Sequence, residues 1–154
     1  MLRTAILAFV VLATGTARAE DDEIYYGSRA GMSVTTVSKA GIGTSMAVIR
    51  VEHRPRNAKA FYVDYVLDNS MACVRKTMAS VKVRDRVTAD CRKRTWTDLY
   101  GERFAFLGRQ KDRDSMADYV VKRLDTGEVL DGSSASGYPT ALGIFQVLCP
   151  GIAK

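Results

Sequence analysis

Residues 81–107, VKVRDRVTADCRKRTWTDLYGERFAFL, constrain the fold more than any other stretch of the chain. Val87, Ala89 and Cys91 share one face of a period-two segment while Thr88, Asp90 and Arg92 share the other, as in a strand with one wet side. After the basic run Arg92-Lys93-Arg94, a second segment from Thr95 to Leu99 leads through Tyr100-Gly101-Glu102 into Arg103-Phe104-Ala105-Phe106-Leu107. Gly101 can take the positive φ of a tight turn, and β-branched or aromatic residues flank it on both sides. The pattern predicts a hairpin that turns near Gly101.

The start of the chain reads as a targeting signal. Arg3 gives a positive first segment, residues 5–13 are apolar but short for a membrane span, and Ala17-Arg18-Ala19 has the small-x-small form of a signal peptidase site. Residues 1–19 are therefore expected to be cleaved, leaving 20–154 as one domain of ordinary size that can bury a continuous core. No later apolar run is long enough to cross a membrane as a helix, so no transmembrane segment is expected in the mature chain.

Charge is distributed unevenly. Glu20-Asp21-Asp22-Glu23 form a short acidic arm, and from Ile24 onward 21 Lys and Arg face 13 Asp and Glu, a balance of +8. Such an arm is expected to be solvated. A sharper idea is that it folds over a basic face and competes with an anionic ligand.

Residues 32–37 and 44–52 predict two strands around a Gly41-Ile42-Gly43 turn. The second alternates cleanly; the first does not. The glycine pair lacks a third glycine and a following helix, so it reads as a turn rather than a phosphate loop. Residues 58–67 satisfy a helical face (Ala58, Phe61, Tyr62, Tyr65, Val66) and an alternating one (Phe61, Val63, Tyr65, Leu67). Helix is preferred, because Pro55 and Asn57 form a start signal with Asn57 as the cap. A second short helix should follow, burying Met71, Val74 and Met78. Farther on, residues 118–124 and 128–130 predict a hairpin around Asp125-Thr126-Gly127. A last short helix should run from about Thr140 to Leu148, with Leu142, Ile144, Phe145 and Leu148 inward and Pro139 and Pro150-Gly151 as punctuation.

Three cysteines, Cys73, Cys91 and Cys149, in an exported chain imply one disulfide. Cys91 with Cys149 is preferred, since it would pin the last helix to a core-facing strand; Cys73 with either remains open. The long loop so closed is worth on the order of 3 to 5 kcal/mol. The leftover thiol reads as a buried small hydrophobe. His53 is the sole histidine and no Cys-x-x-Cys spacing exists, which argues against a metal site, and no cofactor motif is present. The loop Gly132-Ser133-Ser134-Ala135-Ser136-Gly137 departs from a nucleophile elbow, because Ser136 stands where the second glycine belongs. It reads as a turn that caps the last helix, or as an anion cradle at that helix's N-terminus.

Between Arg75 and Arg94 eight Lys and Arg are opposed only by Asp85 and Asp90, with Trp96 beside Arg92, Lys93 and Arg94. Those four residues are the candidate binding face. The fold expected is α+β: an antiparallel sheet of hairpins, one or two central helices and a short C-terminal helix. The function expected is a periplasmic or secreted non-enzymatic binding protein for an anionic envelope component or an acidic protein partner. Export argues against nucleic acid, and like charge argues against a cationic lysozyme as partner. Two alternatives stand beside it: a small hydrolase using the serine loop with His53 as base, and a structural envelope component.

Overall fold

The alternation around Cys91 becomes the middle of one antiparallel sheet. The structure, a computed structural model, describes residues 22–29, 31–61, 67–68 and 70–154. Residues 1–19, Glu20, Asp21 and residues 62–66 thus lie outside the described residues, and with them the expected leader, half of the acidic arm and the second part of the 58–67 segment.

Seven strands lie side by side in sequence order: β1 (Glu23–Tyr25), β2 (Ser33–Ala40), β3 (Ala47–Glu52), β4 (Arg86–Asp90), β5 (Thr95–Thr97), β6 (Arg103–Arg109) and β7 (Tyr119–Arg123). Each pairs antiparallel with the next. Two helices, α1 (Pro55–Phe61) and α2 (Met71–Ser80), stand between β3 and β4, and α3 (Tyr138–Leu148) closes the chain. The hairpin expected at Gly101 is present. Trp96 faces Phe104 across the β5–β6 pair, and Gly101 turns with φ +88° while its N–H donates to Asp98 O at 3.2 Å.

The sheet curls around α3, which touches β1, β3, β4 and β7. Its concave face supplies Val34, Ile49, Val87 and Val121, and α3 answers with Ala141, Ile144, Phe145 and Leu148. Rings form a continuous column through this core. Phe104 stacks on Trp96 (centroids 5.5 Å apart), Trp96 on Phe145 (4.7 Å), Phe145 on Phe106 (5.0 Å), and Phe106 leans on Tyr119 (5.4 Å). Each such pair adds about 0.5–1.5 kcal/mol beyond the area it buries. The spacing that reads as a short helix near 140–148 therefore supplies the plug of a curled sheet.

The broken alternation of β2 has a physical cause. Ser33, Val34 and Thr35 are all buried, because α1 covers the outer side of β2 at that end while Val34, on the inner side, joins the core. Asn57, only 1 % exposed, is the joint. Its Oδ1 accepts from Thr35 Oγ1 at 3.1 Å and from Arg54 N at 3.0 Å, and its Nδ2 donates to Glu23 Oε1 at 3.2 Å and Ser33 Oγ at 3.3 Å. Arg56 Nη2 donates to the same Thr35 hydroxyl at 2.9 Å. Asn57 is thus the third residue of a helix that starts at Pro55, not its cap, and its side chain ties strand to helix.

Smaller differences follow the same logic of what covers what. Residues 55–61 are helical, as preferred over a strand. In α2, capped by Ser70, Val74 and Thr77 are buried, whereas Met71 is 58 % exposed because it lies in the first turn, facing out. Gly137, at φ +79°, precedes α3, which starts two residues earlier than expected; Tyr138 and Ala141 are buried and Leu142 only partly so. The second arm of the β7 hairpin is a single bridge, Lys122 to Val129, plus Leu130 N donating to Val121 O at 2.9 Å. Among the described residues no helix is long and apolar enough to cross a membrane.

Candidate functional site

Strand order places the connections of the sheet at two ends. The β4–β5 turn lies at one, and the β5–β6 turn with residues 98–102 lies at the other. The basic triplet belongs to the first. Arg92, Lys93 and Arg94 are all exposed on a turn that begins at Cys91. Asp90 shapes it: its Oδ1 accepts from the backbone N–H groups of Arg92 and Lys93, both at 3.1 Å, and Lys93 Nζ lies 3.7 Å from Oδ2. Arg94 closes the turn at φ +56°, and its carbonyl accepts from Phe106 N at 2.9 Å. The guanidinium groups of Arg92 and Arg94 make no hydrogen bond or ion pair among the described residues.

Beneath the turn lies the disulfide. Cys91 is bonded to Cys149, with Cα atoms 5.4 Å apart, the pairing preferred from the sequence. Cys91 N also donates to Thr44 O at 3.0 Å, and Gly43 N to Leu148 O at 2.8 Å. The β2–β3 turn, the end of α3 and the basic turn are therefore one braced unit.

Trp96 does not join this surface. It is 3 % exposed, with its ring in the aromatic column and its indole N–H buried without a hydrogen-bond partner among the described residues. Alternation explains the displacement: in β5 the two threonines beside Trp96 point outward and the ring goes to the larger, inner space. Nor does the longer basic run converge. Arg75 and Lys76 lie on α2, Arg86 pairs with Asp85 at 2.9 Å, and the guanidinium of Arg84 sits over Gly101 at the other end of the sheet.

The remaining sequence candidates are accounted for locally. Asp22 pairs with Lys39 and Glu23 with Asn57, so the described half of the acidic arm is the edge of the sheet rather than a cover for the basic turn. Cys73 is half-buried and its thiol donates to Asp68 Oδ2 at 2.6 Å, a hydrogen-bonded thiol rather than a purely apolar one; that bond holds the Asp68 carboxyl below the usual range. In the serine loop, Ser136 Oγ donates to Ser133 O at 2.8 Å and Ser133 Oγ accepts from Ser136 N at 3.2 Å. His53 stands edge-on to Tyr26 with centroids 5.9 Å apart, its imidazole held neutral to lower pH by burial, and it makes no hydrogen bond with these serines. Among the described residues no group of three His, Cys, Asp or Glu is placed to hold a metal ion.

At the other end of the sheet, a cleft of about 380 Å³ opens between the β5–β6 turn, residues 26–29 and the start of α3. Asp98 Oδ1 accepts from Tyr100 N at 2.9 Å and Glu102 N at 2.8 Å, which fixes the turn. Burial, with the charge of Glu102 added, raises the Asp98 carboxyl above its ordinary range. Burial likewise pushes the Tyr26 phenol up to about 12, with Tyr100 contributing. Sequence reasoning identifies Tyr100-Gly101-Glu102 as a turn and nothing more. The signal available was the density of hydroxyl and carboxyl groups in Tyr25-Tyr26-Gly27-Ser28 and Asp98-Leu99-Tyr100-Gly101-Glu102, two segments whose meeting only the topology creates.

Compared with family models, curated proteins and solved structures, the chain matches none.

Proposed function

We propose that this chain is a periplasmic or secreted, non-enzymatic binding protein that docks an anionic component of the cell envelope on Arg92, Lys93 and Arg94. One observation carries the reading: three consecutive exposed cations stand on a turn whose shape is fixed by Asp90 from within and by the Cys91–Cys149 bond from below. The backbone of the turn is already fixed and loses little freedom on binding, so more of the attraction between its three cations and an anionic surface is realised. The leader pattern in residues 1–19 and the disulfide are both in keeping with an oxidising compartment outside the cytoplasm. The serine loop supports an enzyme less well, because the Ser133 and Ser136 hydroxyls are engaged in its own turn and His53 makes no hydrogen bond with the loop.

Flotation with phosphatidylcholine vesicles containing phosphatidylglycerol tests the reading. Each Lys or Arg at an anionic surface contributes about 1 kcal/mol. Neutralising the triplet as R92Q/K93Q/R94Q should thus weaken association roughly 100-fold, and R92E/K93E/R94E should abolish it. Raising salt until the screening length falls well below 10 Å should release the wild-type protein. Association that ignores salt, or that survives charge reversal, refutes the proposal.

A further inference from the structure

We propose that the cleft at the β5–β6 end is a second binding site, for a neutral polyhydroxylated ligand such as a sugar residue. The first observation is an unpaired hydroxyl. Tyr26 is only 6 % exposed and lines the cleft, yet its hydroxyl has no hydrogen-bond partner among the described residues. The hydroxyl is not sealed in the core but reaches solvent at this surface, where a ligand oxygen can replace water on it. The second is Asp98 on the same wall, 8 % exposed. Its Oδ1 is taken by two backbone N–H groups, while Oδ2 meets no side-chain donor among the described residues. Donor and acceptor thus stand ready on one surface, which matches a ligand whose hydroxyls both give and accept.

Charge excludes the other classes. An anion entering the cleft would meet the desolvated Asp98 carboxylate and Glu102. A cation would meet Arg29 and Arg123, and Arg123 is already matched by Glu102 at 3.0 Å and by Glu128. Counted over the lining residues alone, two cations, Arg29 and Arg123, stand with two carboxylates, Asp98 and Glu102, so the formal charge of the lining favours neither sign of ligand. Its apolar part fits the same ligand class. Phe104, Met32 and Ala141 line it, and the half-exposed Tyr100 ring stands edge-on to Tyr26, with centroids 6.4 Å apart. A flat aromatic surface suits the C–H face of a sugar ring, and the volume holds one or two such rings.

The test is saturation-transfer NMR on the disulfide-intact protein with glucose, N-acetylglucosamine, their β1,4-linked dimers and glucose 6-phosphate as probes. Transfer to ring C–H protons is expected from at least one neutral sugar. Tyr26→Phe, which keeps the ring, should weaken that sugar roughly three- to tenfold, the worth of one neutral hydrogen bond. Asp98→Asn, which keeps the Oδ1 acceptor and so the turn, should weaken it roughly tenfold or more, as befits a bond to a charged group. R92E/K93E/R94E should leave sugar binding unchanged, which separates this site from the basic turn. No transfer from any neutral sugar to the folded protein, a preference for glucose 6-phosphate over glucose, or binding indifferent to both Tyr26→Phe and Asp98→Asn would overturn the proposal.

Discussion

Removing the Cys91–Cys149 bond should cost the fold a large part of its stability, and the size of the loss follows from the chain it closes. The two residues are 58 apart in sequence. In the chain-entropy description, a loop of that length restricts the unfolded state by about 4 kcal/mol at room temperature. Both sulfurs are buried, so alanines at the two positions also leave a small void beneath α3. A domain of this size is stable by only about 5–15 kcal/mol, and the double variant Cys91→Ala/Cys149→Ala should therefore lose at least about a quarter of the total. With a urea dependence near 2 kcal/mol per molar, the unfolding midpoint should fall by about 2 M. The dependence itself should steepen, because the uncrosslinked chain exposes more surface when it unfolds. Cys73→Ala is the control and should leave the midpoint close to wild type, since that thiol is half-buried and bonds only Asp68. Urea unfolding followed by Trp96 fluorescence reads all three proteins, as the indole lies in the core. A double variant within about 1 kcal/mol of the oxidised protein would refute the argument, and with it the claim that this bond braces the basic turn.

Two further perturbations address the polar joints. Asn57→Ala should destabilise by about 1–3 kcal/mol, since it strands the buried Ser33 hydroxyl and the Arg54 N–H and takes from the Thr35 hydroxyl its acceptor, leaving only the bond from Arg56; Asn57→Asp should be worse, because it sets a carboxylate against Glu23. Urea midpoints decide it, and an alanine variant as stable as wild type would contradict the joint. Asp98 predicts a pH dependence. Its folded-state pKa is raised by burial, so between the ordinary carboxylate value and the raised one the folded protein keeps a proton that the unfolded chain has released. Stability from this group is therefore full at low pH and lost as pH rises through that window. The advantage of Asp98→Asn over wild type should grow from pH 4 upward, and a difference that does not change with pH would contradict the assignment.

Local patterns carried much of the architecture. The strands at 47–52 and 86–90, the turn at Gly101, the inward face of α3 and the Cys91–Cys149 pairing are each legible because one side of the segment meets the core and the other meets water. Where both sides are covered, alternation disappears. β2 is such a case, and the polar residues that make it so, Ser33, Thr35 and Asn57, look like surface residues until α1 is laid over them. Trp96 is the opposite case. A large ring next to three cations suggests a surface, but only a strand's two-residue period tells which way the ring turns, and here it turns inward between two threonines. The scattering of the other cations, and the meeting of Tyr26 with Asp98, depend on which turns share an end of the sheet. That is a property of strand order, to which no single segment refers.

The most direct measurement of the central claim is where an anionic surface touches the folded protein. Backbone amide signals of the disulfide-intact chain, followed by NMR during titration with phosphatidylglycerol-containing bicelles at low salt, should broaden first and most at Arg92, Lys93 and Arg94, and next in the β2–β3 turn braced against them. Broadening centred instead on Arg50 and Arg86, on α2, or on no continuous surface would contradict the account.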